Sequence, residues 1–214
     1  MVLTVKPRGS KKVLLSNKSA LATKKYVKQE IKREGVDKYS DTNVLPASVT
    51  GAGLIFGPLT LVAGGLTEIT RVGDALIMDE ISYTFSLSMA DTTNIMRVII
   101  FQWNDNNAIN PPTPALVFQQ LLTAPHIGQL NWNSIKNNTM NVISDKVYTG
   151  VLGQDSTIKV IKGKLFGKRL PRKRLQFIPA TVDASAHIYV MTLSDSTAAP
   201  HPTFAYSSRL KFHQ

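Results

Sequence analysis

The sequence predicts an all-β protein: an eight-stranded antiparallel jelly-roll sandwich behind a basic N-terminal arm that contains a short helix. Three observations point to it. First, Ile81, Tyr83, Phe85, Leu87 and Met89 alternate with Ser82, Thr84, Ser86 and Ser88, while Phe204, Tyr206, Leu210 and Phe212 alternate with Ala205, Ser207, Arg209 and Lys211. A period of two marks a strand with one buried face. Second, short apolar runs recur between Gly-, Asn- and Pro-rich segments with almost no helical periodicity after residue 38, the pattern of a two-sheet sandwich. Third, charge is segregated. Residues 1–38 carry 11 bases and 3 acids, 39–158 carry 4 and 9, 159–174 carry 8 and none, and 175–214 carry 2 and 2.

The elements follow in chain order. Residues 1–18 mix Lys, Ser, Gly and Pro and read as a flexible arm. Ser19 is an N-cap candidate for a helix over residues 20–34, with Lys24, Val27 and Ile31 on one thin stripe and Gly35 as its stop. So thin a stripe leaves the helix marginal without an anionic partner or a neighbouring subunit. The arm is therefore residues 1–38 and the shell domain residues 39–214. Strands are expected at Leu54–Phe56, Ile81–Met89, Ile95–Trp103, Thr139–Thr149, Thr157–Phe166, Arg172–Ile178, His187–Leu193 and Phe204–Phe212, with one helical insertion at Ala115–Leu122. Ile95–Trp103 and His187–Leu193 are apolar on both faces, so their outer face must be covered, with another subunit as the natural candidate. Asn104–Pro114 and Thr123–Asn138 read as exposed loops.

At 214 residues with 43% hydrophobic and 18% charged residues, the chain can bury one sizeable core. The absence of cysteine excludes disulfides, thiolate metal sites and Cys nucleophiles. The apolar stretch at Met1–Val5 is too short for a signal peptide, and no run approaches membrane-spanning length, so no membrane partner is expected.

The basic segments carry the chemistry. Lys6, Arg8, Lys11, Lys12, Lys18, Lys24, Lys25, Lys28, Lys32 and Arg33 of the arm, with Lys162, Lys164, Lys168 and Arg169 of the second cluster, are the candidate nucleic-acid-binding residues. Such cations neutralise phosphates and release counterions, giving affinity without sequence choice. Only Tyr26 and Tyr39 lie near the arm, so charge outweighs base stacking there. Arg172, Lys173 and Arg174 follow Pro171 as a nuclear-localisation candidate. The alternative for the whole second cluster is a solvated face.

No catalytic site is expected, and the chain reads as a non-enzyme. Gly51-Ala-Gly-Leu-Ile-Phe-Gly57 misplaces its third glycine for a dinucleotide loop and runs into Pro58, where no helix can start. There is no nucleophile elbow, no His-Glu-x-x-His and no phosphate-binding loop, and the four histidines lack ligand spacing. Asp74, Asp79 and Glu80 are a weak Ca²⁺ candidate at a strand entry; no other cofactor is expected.

Several local signatures fall in a telling order: the Lys-rich arm, Arg71-Val-Gly-Asp74 before a long alternating strand, Arg97-Val-Ile-Ile-Phe-Gln-Trp103, Val142-Ile-Ser-Asp-Lys146, Ile188-Tyr-Val-Met-Thr-Leu-Ser-Asp-Ser196, a Pro-containing loop, and Arg209-Leu-Lys-Phe212. This ordered set resembles the single jelly-roll capsid proteins of small icosahedral viruses, of the circular Rep-encoding single-stranded DNA virus type and similar to satellite necrosis virus capsids. The resemblance implies a virion protein that assembles with itself, most simply in about sixty copies. It implies that the arm packages a single-stranded genome, DNA in preference to RNA, and that the host nucleus is a candidate site during assembly. The sequence does not identify a host receptor. The alternative is a cellular nucleic-acid-binding or histone-handling β-sandwich with a basic tail; a lectin or cupin-like enzyme would need a polar ligand pocket or a His-rich metal centre, and the spacing offers neither.

Overall fold

A computed structural model describes residues 37–66, 69–90, 94–104, 112–118, 140–150, 153, 157–178 and 184–214. The chain divides into two compact units, Met1–Val36 and Asp37–Gln214. Residues 1–36, with the predicted helix, lie outside the described residues; Asp37 and Lys38, which the sequence reading placed in the arm, fall in the second unit, and Lys38 opens its first strand.

Among its described residues the second unit contains ten strands: β1 (Lys38–Ser48), β2 (Leu54–Phe56), β3 (Ala75–Ser88), β4 (Asn94–Trp103), β5 (Met140–Gly150), β6 (Ile158–Phe166), β7 (Arg174–Phe177), β8 (Ala184–Ser185), β9 (Ile188–Ser194) and β10 (Thr203–His213). A short helix α1 (Pro114–Phe118) precedes β5, and a 3-10 turn (Gly167–Arg169) follows β6. One sheet runs β1-β10-β3 and continues along the far side of β3 with β6 and then β7, beyond which β8 pairs with β7; the other runs β2-β9-β4-β5. β1 pairs with β10, β2 with β9, β3 with β6 and β4 with β5, while the β10–β3 and β9–β4 pairs complete the two sheets. These nested antiparallel pairs are those of an eight-stranded jelly roll, with β7 and β8 as short additions on one flank.

The alternation read from the sequence works as expected in β3 and β10. Ile81, Phe85, Leu87, Phe204, Tyr206, Leu210 and Phe212 are buried between the sheets, and the intervening side chains face outward. Phe56 of one sheet meets Phe204 of the other at 4.8 Å, Phe85 meets Phe204 at 5.3 Å, and Tyr206 donates to Gly57 O at 2.7 Å. Burial pushes the Tyr206 hydroxyl up to about 12, so this donor stays protonated through the neutral range.

Strands β4 and β9 correct one expectation. Their outer face is covered by the chain itself. Ile99, Phe101, Trp103, Met191 and Leu193 form a second apolar cluster with Val117 of α1 and Met140 of β5, and Leu116 and Phe118 pack against it. The helical insertion thus serves as a lid on this sheet, and no second subunit is required to bury these residues. The described part of the predicted exposed loop Asn104–Pro114 is mixed: Asn104 is 5% exposed and Pro112 is buried, whereas Thr113 is exposed, and residues 105–111 lie outside the described set.

β1 has no counterpart among the predicted strands. It is an edge strand whose inward positions are Lys38, Ser40, Thr42 and Val44, so hydrophobic alternation is missing although backbone pairing to β10 is regular as far as Val44. Its register shifts between Val44 and Ala47. Pro46 lies in that interval and has no N–H to offer a ladder.

Candidate nucleic-acid interface

The arm cations Lys6, Arg8, Lys11, Lys12, Lys18, Lys24, Lys25, Lys28, Lys32 and Arg33 lie outside the described residues. The second cluster is described in full. It follows the flank of β3: β6 pairs with Glu80–Ser88, the 3-10 turn and Leu170–Lys173 bridge a gap, and β7 pairs with Ala75–Ile77. Eight cations contiguous in sequence therefore become one basic sheet margin.

Register decides which way each points. Opposite the buried Ile81 and Phe85 lie Leu165 and Ile161, so Lys164 opposite Ser82 and Lys162 opposite Thr84 stand on the outer face. Lys164 pairs with Glu80 at 2.8 Å, whereas Lys162 makes no ion pair among the described residues. Lys159 belongs to the other side of the strand, with its ammonium 5.2 Å from the Tyr148 ring centroid. Lys168 and Arg169 are exposed in the 3-10 turn. Gly163 was not singled out by sequence reasoning, yet it is needed here: a Cβ would come within 2.3 Å of the Tyr83 ring that lies across it.

Arg172, Lys173 and Arg174 present exposed side chains on a backbone that is held at each residue. The buried Gln102 side chain donates to Arg172 O at 2.9 Å and accepts from Arg172 N–H at 2.9 Å. Lys173 O accepts from Met78 N–H at 2.8 Å, and Arg174 pairs with Ile77. A receptor that reads an extended basic peptide through its main chain would have to release three consecutive residues.

The three carboxylates named as a calcium candidate each take a different partner. Asp74 closes the Arg71 turn at 3.4 Å, with Gly73 at a φ of 83° and the Arg71 guanidinium 4.0 Å from the Phe177 ring. Asp79 sits at the β3–β10 register shift and meets His213 Nδ1 at 2.8 Å; Glu80 takes Lys164. Among the described residues no group of three acidic or histidine side chains converges. Met78 and Ile81 both point into the core, so the register shift leaves Asp79 and Glu80 together on the outer side, where each takes a different partner.

The outer face of the β1-β10-β3-β6 sheet also carries Asp41 bound to Arg209 by two bonds of 2.7 and 2.8 Å, and Lys211 bound to Asp37. The hydrogen bond from Arg209 lowers the Asp41 pKa, and that from Lys164 lowers the Glu80 pKa. A carboxyl depressed by folding stabilises the native state above its unfolded pKa and loses that contribution as pH falls through the folded value. Unfolding midpoints are therefore expected to decline on acidification below about pH 4, modestly because both pairs are solvated. Asp41→Asn should remove part of that slope, measured by thermal unfolding between neutral pH and pH 3; an unchanged slope would refute the assignment.

No family model matches the chain, and no curated protein matches it in sequence. Among solved structures, an empty-head particle of turnip yellow mosaic virus aligns with a TM-score of 0.41 at 12% identity, covering 100% of this chain and 87% of that one. Desmodium yellow mottle tymovirus gives 0.41 at 9% identity, covering 100% and 94%, and turnip yellow mosaic virus gives 0.41 at 14%, covering 100% and 87%. Likenesses of this size establish neither family nor function.

Proposed function

We propose that this chain is a viral capsid protein: the jelly-roll unit assembles into a small icosahedral shell, and the basic arm packages a single-stranded genome, DNA in preference to RNA, by neutralising its phosphates. The observation that carries this reading is the separation of charge, with 11 of the 25 Lys and Arg residues in the first 38 positions and eight more on one margin of an otherwise slightly acidic sandwich. A non-specific polyanion binder needs dense cations in a place that can face the polymer, and it needs no catalytic constellation. The role is structural, located in the virion.

Leu66, Ile69, Val72 and Ile77, large apolar side chains close together in the sequence between β2 and β3 and at the start of β3, are all exposed, which favours association over a solitary sandwich. For the Arg172–Arg174 run, its engaged backbone favours surface charge over an import signal in the folded protein.

Electron microscopy and size-exclusion chromatography of the expressed chain should reveal closed particles containing nuclease-protected nucleic acid. Removal of residues 1–33 is expected to abolish the protected nucleic acid and to flatten the salt dependence of binding. A persistent monomer across salt and pH would overturn the assembly reading; unaltered nucleic-acid content in the truncated protein would overturn the arm's role. A small defined oligomer without a protected genome would support the cellular β-sandwich alternative.

A further inference from the structure

The sheet that carries the basic margin also bears a shallow hollow of about 670 Å³ on its outer face, reaching from Lys162 and Lys164 across β3 and β10 to Asp41 and Asn43 on β1. We propose that this hollow is a track for unpaired nucleotides: a single strand lies on the sheet with phosphates on Lys162 and Lys164 and a base stacked on Phe166. The inference rests on the packaging function proposed above and extends it from the arm to the folded unit.

Register sets the track out. One transverse row is Asn43, Ser207, Thr84 and Lys162; the next is Asp41, Arg209, Ser82 and Lys164; a third is Tyr39, Lys211, Glu80 and Phe166. The middle of the first two rows is floored by Ser82, Thr84 and Ser207, short hydroxyl side chains that leave room above the sheet and can donate to phosphate or sugar oxygens. Lys162 and Lys164 are two residues apart on one strand, about 6.6 Å, a step that one repeat of an extended phosphodiester chain can span. Lys162 has no ion pair among the described residues, and the Lys164–Glu80 pair is 61% exposed on its lysine side, so an incoming phosphate exchanges it at little cost. On the β1 side, Asp41 is already neutralised by Arg209, which limits its repulsion of phosphate.

The third row supplies what charge cannot. Phe166 is 54% exposed, directly beyond the lysines on the same face, where it contributes little to the core. Tyr39, 41% exposed, lies at the other end of that row, with Arg209 and Lys211 each 5.9 Å from its ring. An open aromatic ring beside cations is a stacking platform for a nucleobase. A duplex hides its base faces, so Phe166 favours a strand that is not paired.

The test uses the full-length chain and fluorescently labelled oligonucleotides, single-stranded and duplex, followed by anisotropy across a salt series. Lys162→Gln with Lys164→Gln should flatten the log–log salt slope for a single strand by about 1.4, two phosphates' worth. Phe166→Ala should weaken single-strand binding about tenfold with the slope retained and leave duplex binding unchanged, while Phe166→Trp should keep the affinity. Cross-links from a 5-iododeoxyuridine strand should fall on Tyr39 or Phe166. Unchanged slope and affinity in these variants, or cross-links confined to residues 1–36, would overturn the track while leaving arm-driven packaging intact. Loss of particle assembly with unaltered oligonucleotide affinity would assign this face to a subunit contact and likewise overturn it. Failure of the unmodified chain to bind any oligonucleotide would instead overturn the packaging function on which the inference rests.

Discussion

Phe204→Ala is expected to lower the unfolding free energy by about 3–5 kcal/mol, read as a shift of the urea midpoint at unchanged slope. Phe204 is fully buried at the centre of the sandwich, where its ring touches Phe56 from the facing sheet and Phe85 and Tyr206 from its own. Removing it costs the transfer of a large apolar side chain from water and leaves a void that rigid neighbours on two sheets fill only in part. A domain of this size commonly has about 5–15 kcal/mol in total, so the variant should be poorly folded at physiological temperature. Phe204→Leu should recover much of the loss because it refills part of the volume. A shift worth less than about 1 kcal/mol for the alanine variant would show that the two sheets do not depend on this ring.

Much of this architecture was legible in the sequence, for identifiable reasons. β3 and β10 lie between other strands of their sheet with one dry and one wet face, so burial is written into them as alternation. β4 and β9 read as continuous apolar runs because both faces are buried, but a run of that kind does not say what covers it, and the covering helix α1 is only five residues long. β1 was not legible, since an edge strand can hold its register through backbone bonds while Ser40 and Thr42 occupy its inward positions. The basic cluster at residues 159–174 was visible as composition, but its division into outer-face lysines, a cationic turn and a tethered run depends on which residues lie opposite on β3. Phe166 drew no attention because one aromatic at the end of a strand resembles core until its 54% exposure is known. The closely spaced acids Asp74, Asp79 and Glu80 take Arg71, His213 and Lys164 as separate partners, a division set by the Arg71 turn and the β3–β10 register that spacing along the chain does not show.

The second large effect concerns a buried charge on β4. Arg97 is 4% exposed and donates through Nε to Asp145 Oδ1 at 2.7 Å, with a further bond from its NH2 group to Oδ2. The two residues sit diagonally across the β4–β5 ladder, with Ile99 opposite Asp145 and Val147 opposite Arg97. In the sequence Asp145 stands beside Lys146; the ladder gives it Arg97 as its partner. The forked guanidinium suits a carboxylate held in this geometry, and much of the benefit is avoidance of an uncompensated buried cation. Asp145→Ala is therefore expected to destabilise the fold by about 3–5 kcal/mol, because Arg97 loses its carboxylate and cannot deprotonate in response. Replacing both partners with apolar residues, Arg97→Met with Asp145→Leu, should restore most of that loss, since neither charge then has to be desolvated. Chemical unfolding of Arg97→Met, Asp145→Leu and the double variant forms a cycle whose coupling energy separates the pair from its packing. Additive losses in that cycle would mean that the guanidinium and carboxylate contribute independently, and would overturn the pair as a unit.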